Sequence, residues 1–377
     1  MSDPQPMPKP MAGVRVLDLA TFLAAPFTAA ILAEFGAEVI KVEQPGMGDP
    51  MRQFGTATEI DDSSLTWLSE ARNKHSITLN LKDPDGAELF KRLVKDADVV
   101  CENFRPGTLA KWGLGYDVLR AINPKLVLLQ VSGYGQDGPY RDRPGFARVA
   151  HAVGGLTYLA GMEGEAPVTP GSTSLADYIS GLFGAIGVLL ALRSVEQTGQ
   201  GQCIDVALYE SIFRVLDEVA PAYARHGTVR GREGLGTRNV CPHGHFPTRD
   251  GNWVAIACTS DKIWARMATN VLDRPDLAQS HPKTADRVRD RALIDGVVSG
   301  FTTAFPMAEV VERCTKGDVP CAAINSIAEI FADPHYEARG ILHRVQHALL
   351  GEVVVPDVLP KLSASPGHID SLGPRLG

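Results

Sequence analysis

One carboxylate stands out as a group that could do chemistry. Asp177 lies in the run Ser172-Thr173-Ser174-Leu175-Ala176-Asp177-Tyr178-Ile179-Ser180-Gly181, at the head of a long apolar segment. An acidic residue in the first turn of a helix is stabilised by the free N–H groups and the dipole there. The same group can also act as a nucleophile toward an activated carbonyl carbon. On the residues alone, both readings stand. Lys74, Arg105 and Lys111 are cations of the kind that hold phosphates, and each is equally an ordinary solvated charge. His343 and His347 lie four apart but lack a carboxylate partner at ligand spacing. The six cysteines are scattered, with no Cys-x-x-Cys pair. No metal site is assigned.

The elements that must position these residues read as α/β. Val14–Leu19 predicts a strand, Pro26–Phe35 a helix, and Glu38–Val42 a second strand, a βαβ unit that implies a parallel sheet. The alternation continues with strands at 76–80, 97–100 and 126–131 and helices at 84–96 and 117–122. A helix over 174–193 is apolar nearly all round and is expected to be deeply buried. A strand at 203–208 and a helix at 210–219 follow. The Gly- and Arg-dense stretch 226–238 reads as a linker. Beyond it, a strand at 252–257 and helices at 263–270, 287–304 and 307–316 make a smaller α/β domain. The expected division is a Rossmann-like domain over 1–224, a small domain over 225–330, and a return of 331–377 to the first.

A βαβ start followed by Glu43 has the outline of a dinucleotide site, but that site needs glycines in its first turn. Here the turn is Ala20-Thr21-Phe22-Leu23-Ala24-Ala25-Pro26, with Phe22 and Leu23 where backbone should approach a pyrophosphate. The topology is retained without that chemistry. A net charge of -7 excludes a general nucleic-acid binder, while leaving room for a local basic groove. The apolar stretches 19–33 and 178–192 are too short to span a bilayer. No signal-peptide pattern opens the chain, so reduced thiols and a cytoplasmic location are expected.

An ordered set of segments resembles the class III CoA-transferases, the family of formyl-CoA transferase, carnitine CoA-transferase and the α-methylacyl-CoA racemases. The set comprises Gly13–Asp18, Gly36–Glu43, Pro45–Asp49 with Arg52, Asn73–Ile77, Glu102–Gly107, Ser132–Gly135, Thr198–Gln202 and Asp333–Gly340. The resemblance implies an interlocked homodimer of two-domain α/β chains. It implies no tightly bound cofactor, with CoA thioesters and carboxylic acids as substrates. Phe22, Lys74, Asn103, Phe104, Arg105, Lys111 and Phe146 match positions at the CoA site, and Asp177 matches the catalytic aspartate. Pro242–Gly251, with His243 and His245, matches a turn of the family rather than a metal site. Family members usually continue past Pro374–Gly377 into a closing helix.

The chemistry implied is attack of the Asp177 carboxylate on a thioester, then return of the CoA thiolate onto the aspartyl carbonyl. Oxyanions along this path need N–H donors, and the glycine-rich run Gly231–Gly236, which includes Gly234, is read as a lid or a source of them. Racemases of the family pair the aspartate with a histidine at the place of Phe146; His151, five residues on, matches a position often filled by Gln in the transferases. Proton exchange at an acyl-CoA is therefore the alternative, and CoA binding without turnover a second. The region around 145–151 most resembles members that use succinyl-CoA with C4–C5 dicarboxylates. A second carboxylate would want a guanidinium, for which Arg148 and Arg238 are candidates.

Overall fold

The computed structural model describes residues 7–171 and 173–377. The chain forms two compact units: one takes the chain through Leu156, Gly171–Arg225 and His335–Gly377, the other Thr157–Pro170 and His226–Pro334.

The first unit is built on a six-stranded, all-parallel sheet. Its strands are β1 (Arg15–Asp18), β2 (Glu38–Glu43), β3 (Lys74–Thr78), β4 (Val99–Glu102), β5 (Val127–Ser132) and β6 (Cys203–Ala207), in the order β3-β2-β1-β4-β5-β6. Val16, Leu17, Val99, Val100 and Leu129 are fully buried, as expected of central strands covered on both faces. The crossover from β1 to β2 is helix α1 (Ala24–Glu34), which takes Pro26 in its first turn, where the missing N–H costs nothing.

Helices α2 (Ala147–Val153) and α3 (Leu175–Thr198) carry the residues of most interest. Only one stripe of α3 is buried: Ala176, Ser180, Gly181, Gly184, Ala185, Val188 and Ala191. Gly181 and Gly184 lie against α1, and the Thr28 hydroxyl donates to the Gly181 carbonyl at 2.7 Å. Small residues let the two backbones approach this closely. The expectation of deep burial all round is therefore corrected, since Leu182, Ile186, Leu189 and Leu190 are each about half exposed or more. An all-apolar sequence does not say which faces a neighbour covers. The helix also runs further than predicted, ending at Gly199 in the left-handed region. At 24 residues it is long and apolar enough to cross a membrane by length and composition, although its small-residue stripe packs in this core.

The hairpin β11 (Leu342–His347) and β12 (Gly351–Pro356) belongs to the first unit. Val353 and Val355 pack with Leu68 and Leu372, and the Pro374 carbonyl accepts from Trp67 Nε1 at 2.9 Å.

The second unit holds an antiparallel sheet of β7 (Gly236–Thr237), β8 (Val240–Pro247), β9 (Trp253–Ala257) and β10 (Cys321–Ala323), in the order β10-β9-β8-β7. Its helices close over Trp264, Met267, Ile294, Val298 and Val310. The run His243-Gly244-His245, read as part of a turn, is strand; the turn proper is at 248–252. Thr157–Pro170 also joins this unit, where the Gly161 carbonyl accepts from Gly234 N–H and the Tyr158 carbonyl from Arg232.

The glycine packing gives a paired prediction. A Cβ at Gly181 would lie 2.7 Å from the Ala24 carbonyl oxygen, whereas one at Gly300 meets nothing within 4 Å. Overpacking costs about 1–3 kcal/mol and the helix-propensity gain of alanine is about 1 kcal/mol. Gly181→Ala should therefore lower the guanidinium midpoint and Gly300→Ala should raise it, the same chemical change with opposite sign.

Candidate active site

The turn between β1 and α1 is held from below by buried charges. Asp18 closes β1 and is fully buried. Lys74, on β3, donates to Asp18 Oδ2 at 2.9 Å and to the Pro26 carbonyl at 2.7 Å. Lys41, on β2, pairs with Asp49 at 2.8 Å and Asp18 at 3.6 Å, and donates to the Ala20 carbonyl. Burial works against the Lys41 charge, yet Asp18 and Asp49 outweigh it and hold the ammonium above its ordinary pKa. Asp49 Oδ1 in turn accepts from Phe22 N–H at 3.0 Å, and Phe22 sits at φ 60. On the other side Asn103 makes a reciprocal pair with Thr21, accepting from its N–H at 2.8 Å and donating to its carbonyl at 2.7 Å.

Above this turn lies a cavity of about 230 Å³ whose walls include Phe22, Asn103, Phe104, Arg105, Phe146 and Asp177. The sequence therefore brought six of its candidates to one place. A second cavity of about 560 Å³ shares Thr21, Phe104 and Arg105 with the first and runs out over Lys82 and Trp112. Phe104 and Trp112 stand edge to face at 5.2 Å, with the Lys82 ammonium 6.0 Å from the indole centroid. An aromatic surface with a cation beside it is what an adenine nucleotide needs. Both cavities open at the carboxyl ends of the strands, where open α/β sheets place their ligands.

Other candidates fall elsewhere. Lys74 is buried and its ammonium is already committed to Asp18 and Pro26, so it is not free for a phosphate. Lys111 and Arg148 are exposed and line neither cavity. His151 is buried and accepts from Ala176 N–H at 3.0 Å through Nε2. Gly234 and Arg238 belong to the second unit, where Arg238 N–H donates to Glu233 at 2.7 Å. Sequence reasoning missed Lys82, Trp112, Arg141 and Arg143. The two arginines share the first cavity with Asp177, and Arg143 stacks on Tyr140 at 3.6 Å. Two arginines within five residues of Phe146 were a visible signal, whereas Lys82 and Trp112 meet only through the fold.

Asp177 occupies the first turn of α3 with no side-chain hydrogen bond or ion pair among the described residues. Burial pushes its pKa up to about 7. A carboxyl whose pKa is higher folded than unfolded holds its proton better in the native state, so folding loses stability as pH rises through that interval. Asp177→Asn should therefore raise Tm at pH 8, by about 1–3 °C for a domain of this size. The gain should be smaller at pH 5 and vanish only below about pH 4, where Asp177 is protonated in the folded and the unfolded chain alike. Scanning calorimetry at the two pH values checks both.

The model of CoA-transferase family III matches residues 11–377. The chain is 57% identical over 372 residues to the succinyl-CoA–L-malate CoA-transferase beta subunit of Chloroflexus aurantiacus, covering 98% of this chain and 91% of that one. It is 41% identical over 380 residues to the succinyl-CoA–D-citramalate CoA-transferase of the same organism, covering 100% and 93%. A crystal structure of a CAIB/BAIF family protein from Brucella suis superposes with a TM-score of 0.85 at 33% identity, covering 98% and 97%. With that match spanning the fold and the cleft around Asp177, the chain belongs to CoA-transferase family III and is an enzyme that moves CoA between carboxylic acids.

Proposed function

We propose that the protein transfers CoA from succinyl-CoA, or another dicarboxylyl-CoA, to a C4–C5 dicarboxylate through covalent intermediates on Asp177. The observation that carries this reading is the unpaired, half-buried Asp177 carboxylate in a cavity that continues toward Phe104, Trp112 and Lys82. A carboxylate already neutralised by a lysine or arginine would be a poor nucleophile. Desolvated and unpaired, this one is reactive once ionised.

In the proposed cycle the Asp177 carboxylate adds to the thioester carbonyl and expels CoA thiolate, leaving a mixed anhydride. The thiolate then attacks the aspartyl carbonyl, releasing the donor acid and forming an aspartyl–CoA thioester. The acceptor carboxylate attacks that thioester, expels the thiolate and forms a second anhydride. Attack of the thiolate on the acceptor's carbonyl frees Asp177 and releases the new CoA ester. CoA stays bound throughout, held at its nucleotide end by Lys82 and Arg105 with the adenine on the Phe104–Trp112 surface. For the second carboxylate of the acid, Arg141 and Arg143 replace Arg148 and Arg238 as candidates, because they line the cavity that contains Asp177.

Isomerase chemistry would need a second group to exchange the α-proton. Phe146 stands in the cavity with no proton to exchange, and the accepting nitrogen of His151 is occupied by Ala176 N–H. We also infer self-association in the cytoplasm, with the exposed Leu182, Ile186, Leu189 and Leu190 of α3 as part of the surface buried between copies. Interlocking of the chains belongs to the same inference.

Incubation with succinyl-CoA and a panel of acids in D₂O, followed by mass spectrometry of the CoA esters, tests the reading. A new dicarboxylyl-CoA without α-deuterium is expected; α-deuterium in an added branched acyl-CoA with no new ester would contradict it. Asp177→Ala should lose at least about 10³-fold in turnover while still binding CoA. Lys82→Ala should raise KM for the CoA ester by about tenfold and leave kcat nearly unchanged, as loss of one charge-assisted contact does. For the wild type, kcat/KM should rise with pH through about 7 as Asp177 ionises.

A further inference from the structure

The first turn of α3 lacks a cap of its own. Ser174, at the N-cap position, makes no side-chain capping bond, so the N–H groups behind it need another acceptor. That acceptor comes from α2. His151 is 1% exposed, and its Nε2 accepts from Ala176 N–H at 3.0 Å, the residue just before Asp177. Accepting through Nε2 fixes the tautomer: the imidazole is neutral, with its proton on Nδ1. That atom is buried without a partner among the described residues.

We propose that His151 is a positioning residue that caps the helix carrying Asp177, and that it does so only as a neutral imidazole. The proposal rests on the reading of Asp177 as the nucleophile. An imidazolium would turn the acceptor into a donor facing an N–H, and would set a positive charge at the positive end of a helix. Burial, with the nearby Arg148, already holds the His151 pKa below its ordinary value. On the elements packed against it, the titratable groups at its end are Asp177 and Tyr178 on α3 and Tyr209 and Glu210 on the helix Leu208–Phe213, while Arg193 and Glu196 pair with each other at the far end of α3. A neutral cap also suits a site that receives acids. A carboxylate in the same place would cap the turn equally well, but would raise the cost of ionising Asp177 and repel the incoming substrate.

The capping N–H belongs to the residue adjoining the nucleophile, so losing the acceptor should displace the reacting carboxylate more than it disturbs CoA binding. His151→Ala should lower kcat by roughly ten- to hundredfold, the cost of a small misplacement, with KM for the CoA ester within about twofold of wild type. His151→Gln, whose amide oxygen can accept the same N–H, should recover most of that loss. Hydrogen exchange reports the cap without any turnover, so it separates failure of this inference from failure of the transferase reading. Backbone exchange over 175–178 should accelerate in His151→Ala but not in His151→Gln. In the wild type, protection there, corrected for intrinsic rates, should weaken between pH 7 and pH 5, while the Gln variant stays flat. Unchanged kcat and unchanged exchange in His151→Ala would overturn the proposal. So would a Gln variant as impaired as the Ala variant, because the imidazole would then act other than as an acceptor. If His151→Ala does not fold, the Gln variant decides: retained kcat with flat protection supports the cap, and collapsed kcat refutes it.

Discussion

Two ammonium groups, Lys41 and Lys74, reach under the carboxyl end of the parallel sheet, where Asp18 and Asp49 meet them. All four side chains are essentially excluded from water. Burying an ion costs several kcal/mol, and removing one partner of such a group costs about 3–5 kcal/mol because a charge is stranded. The set therefore works as a unit or not at all. Through Asp49 it fixes the N–H of Phe22, a bulky residue held at positive φ, at a strain of the order of 1–3 kcal/mol. A neighbouring pair, Glu43 and Arg52, is bonded twice at 2.7 Å, and Arg52 lies over Trp67 at 3.9 Å. It ties the same edge of the sheet to the last residues of the chain through the Pro374 carbonyl.

This arrangement fills the β1–α1 turn of a Rossmann-like sheet with the protein's own charges. Where a glycine turn would bring N–H groups to a pyrophosphate, internal carboxylates and ammonium groups occupy the edge of the sheet and a phenylalanine covers them. The ligand space moves outward along the β4 loop, which is held by its own carboxylate: Glu102 accepts from Phe104 N–H at 2.7 Å and from Gln130 at 2.8 Å. Burial lifts that carboxyl to about pH 7 even so. Asn103 then clamps Thr21, leaving Phe104 and Arg105 to face the cavities. On the far wall, the glycines of α3 let it settle against α1 and bring Asp177 to the same space.

Much of this was legible beforehand, and what was not has physical reasons. The β1–α1–β2 start was readable because alternating strand and helix segments are local, and the missing glycines in its first turn were visible in the same stretch. Asp177 could be found only through an ordered set of weak motifs, since an acidic first turn is commonplace. Lys74 was misplaced because a cation's partners depend on which strands are neighbours; on β3 it reaches Asp18 of β1 across β2. The same reason hid Lys82 and Trp112, thirty residues apart in the chain and side by side in space. Nothing in the apolar sequence of α3 distinguished the glycine stripe that packs from the leucines that remain exposed.

A covalent bond to Asp177 is the step on which the proposed transfer depends. The most direct measurement is to mix the protein with succinyl-CoA alone, quench with acid, and map the modified peptide by mass spectrometry. A CoA thioester on the side chain of Asp177, absent in Asp177→Asn and lost on adding an acceptor acid, is the predicted result. Turnover with no adduct on that peptide, or an adduct on another residue, would contradict it.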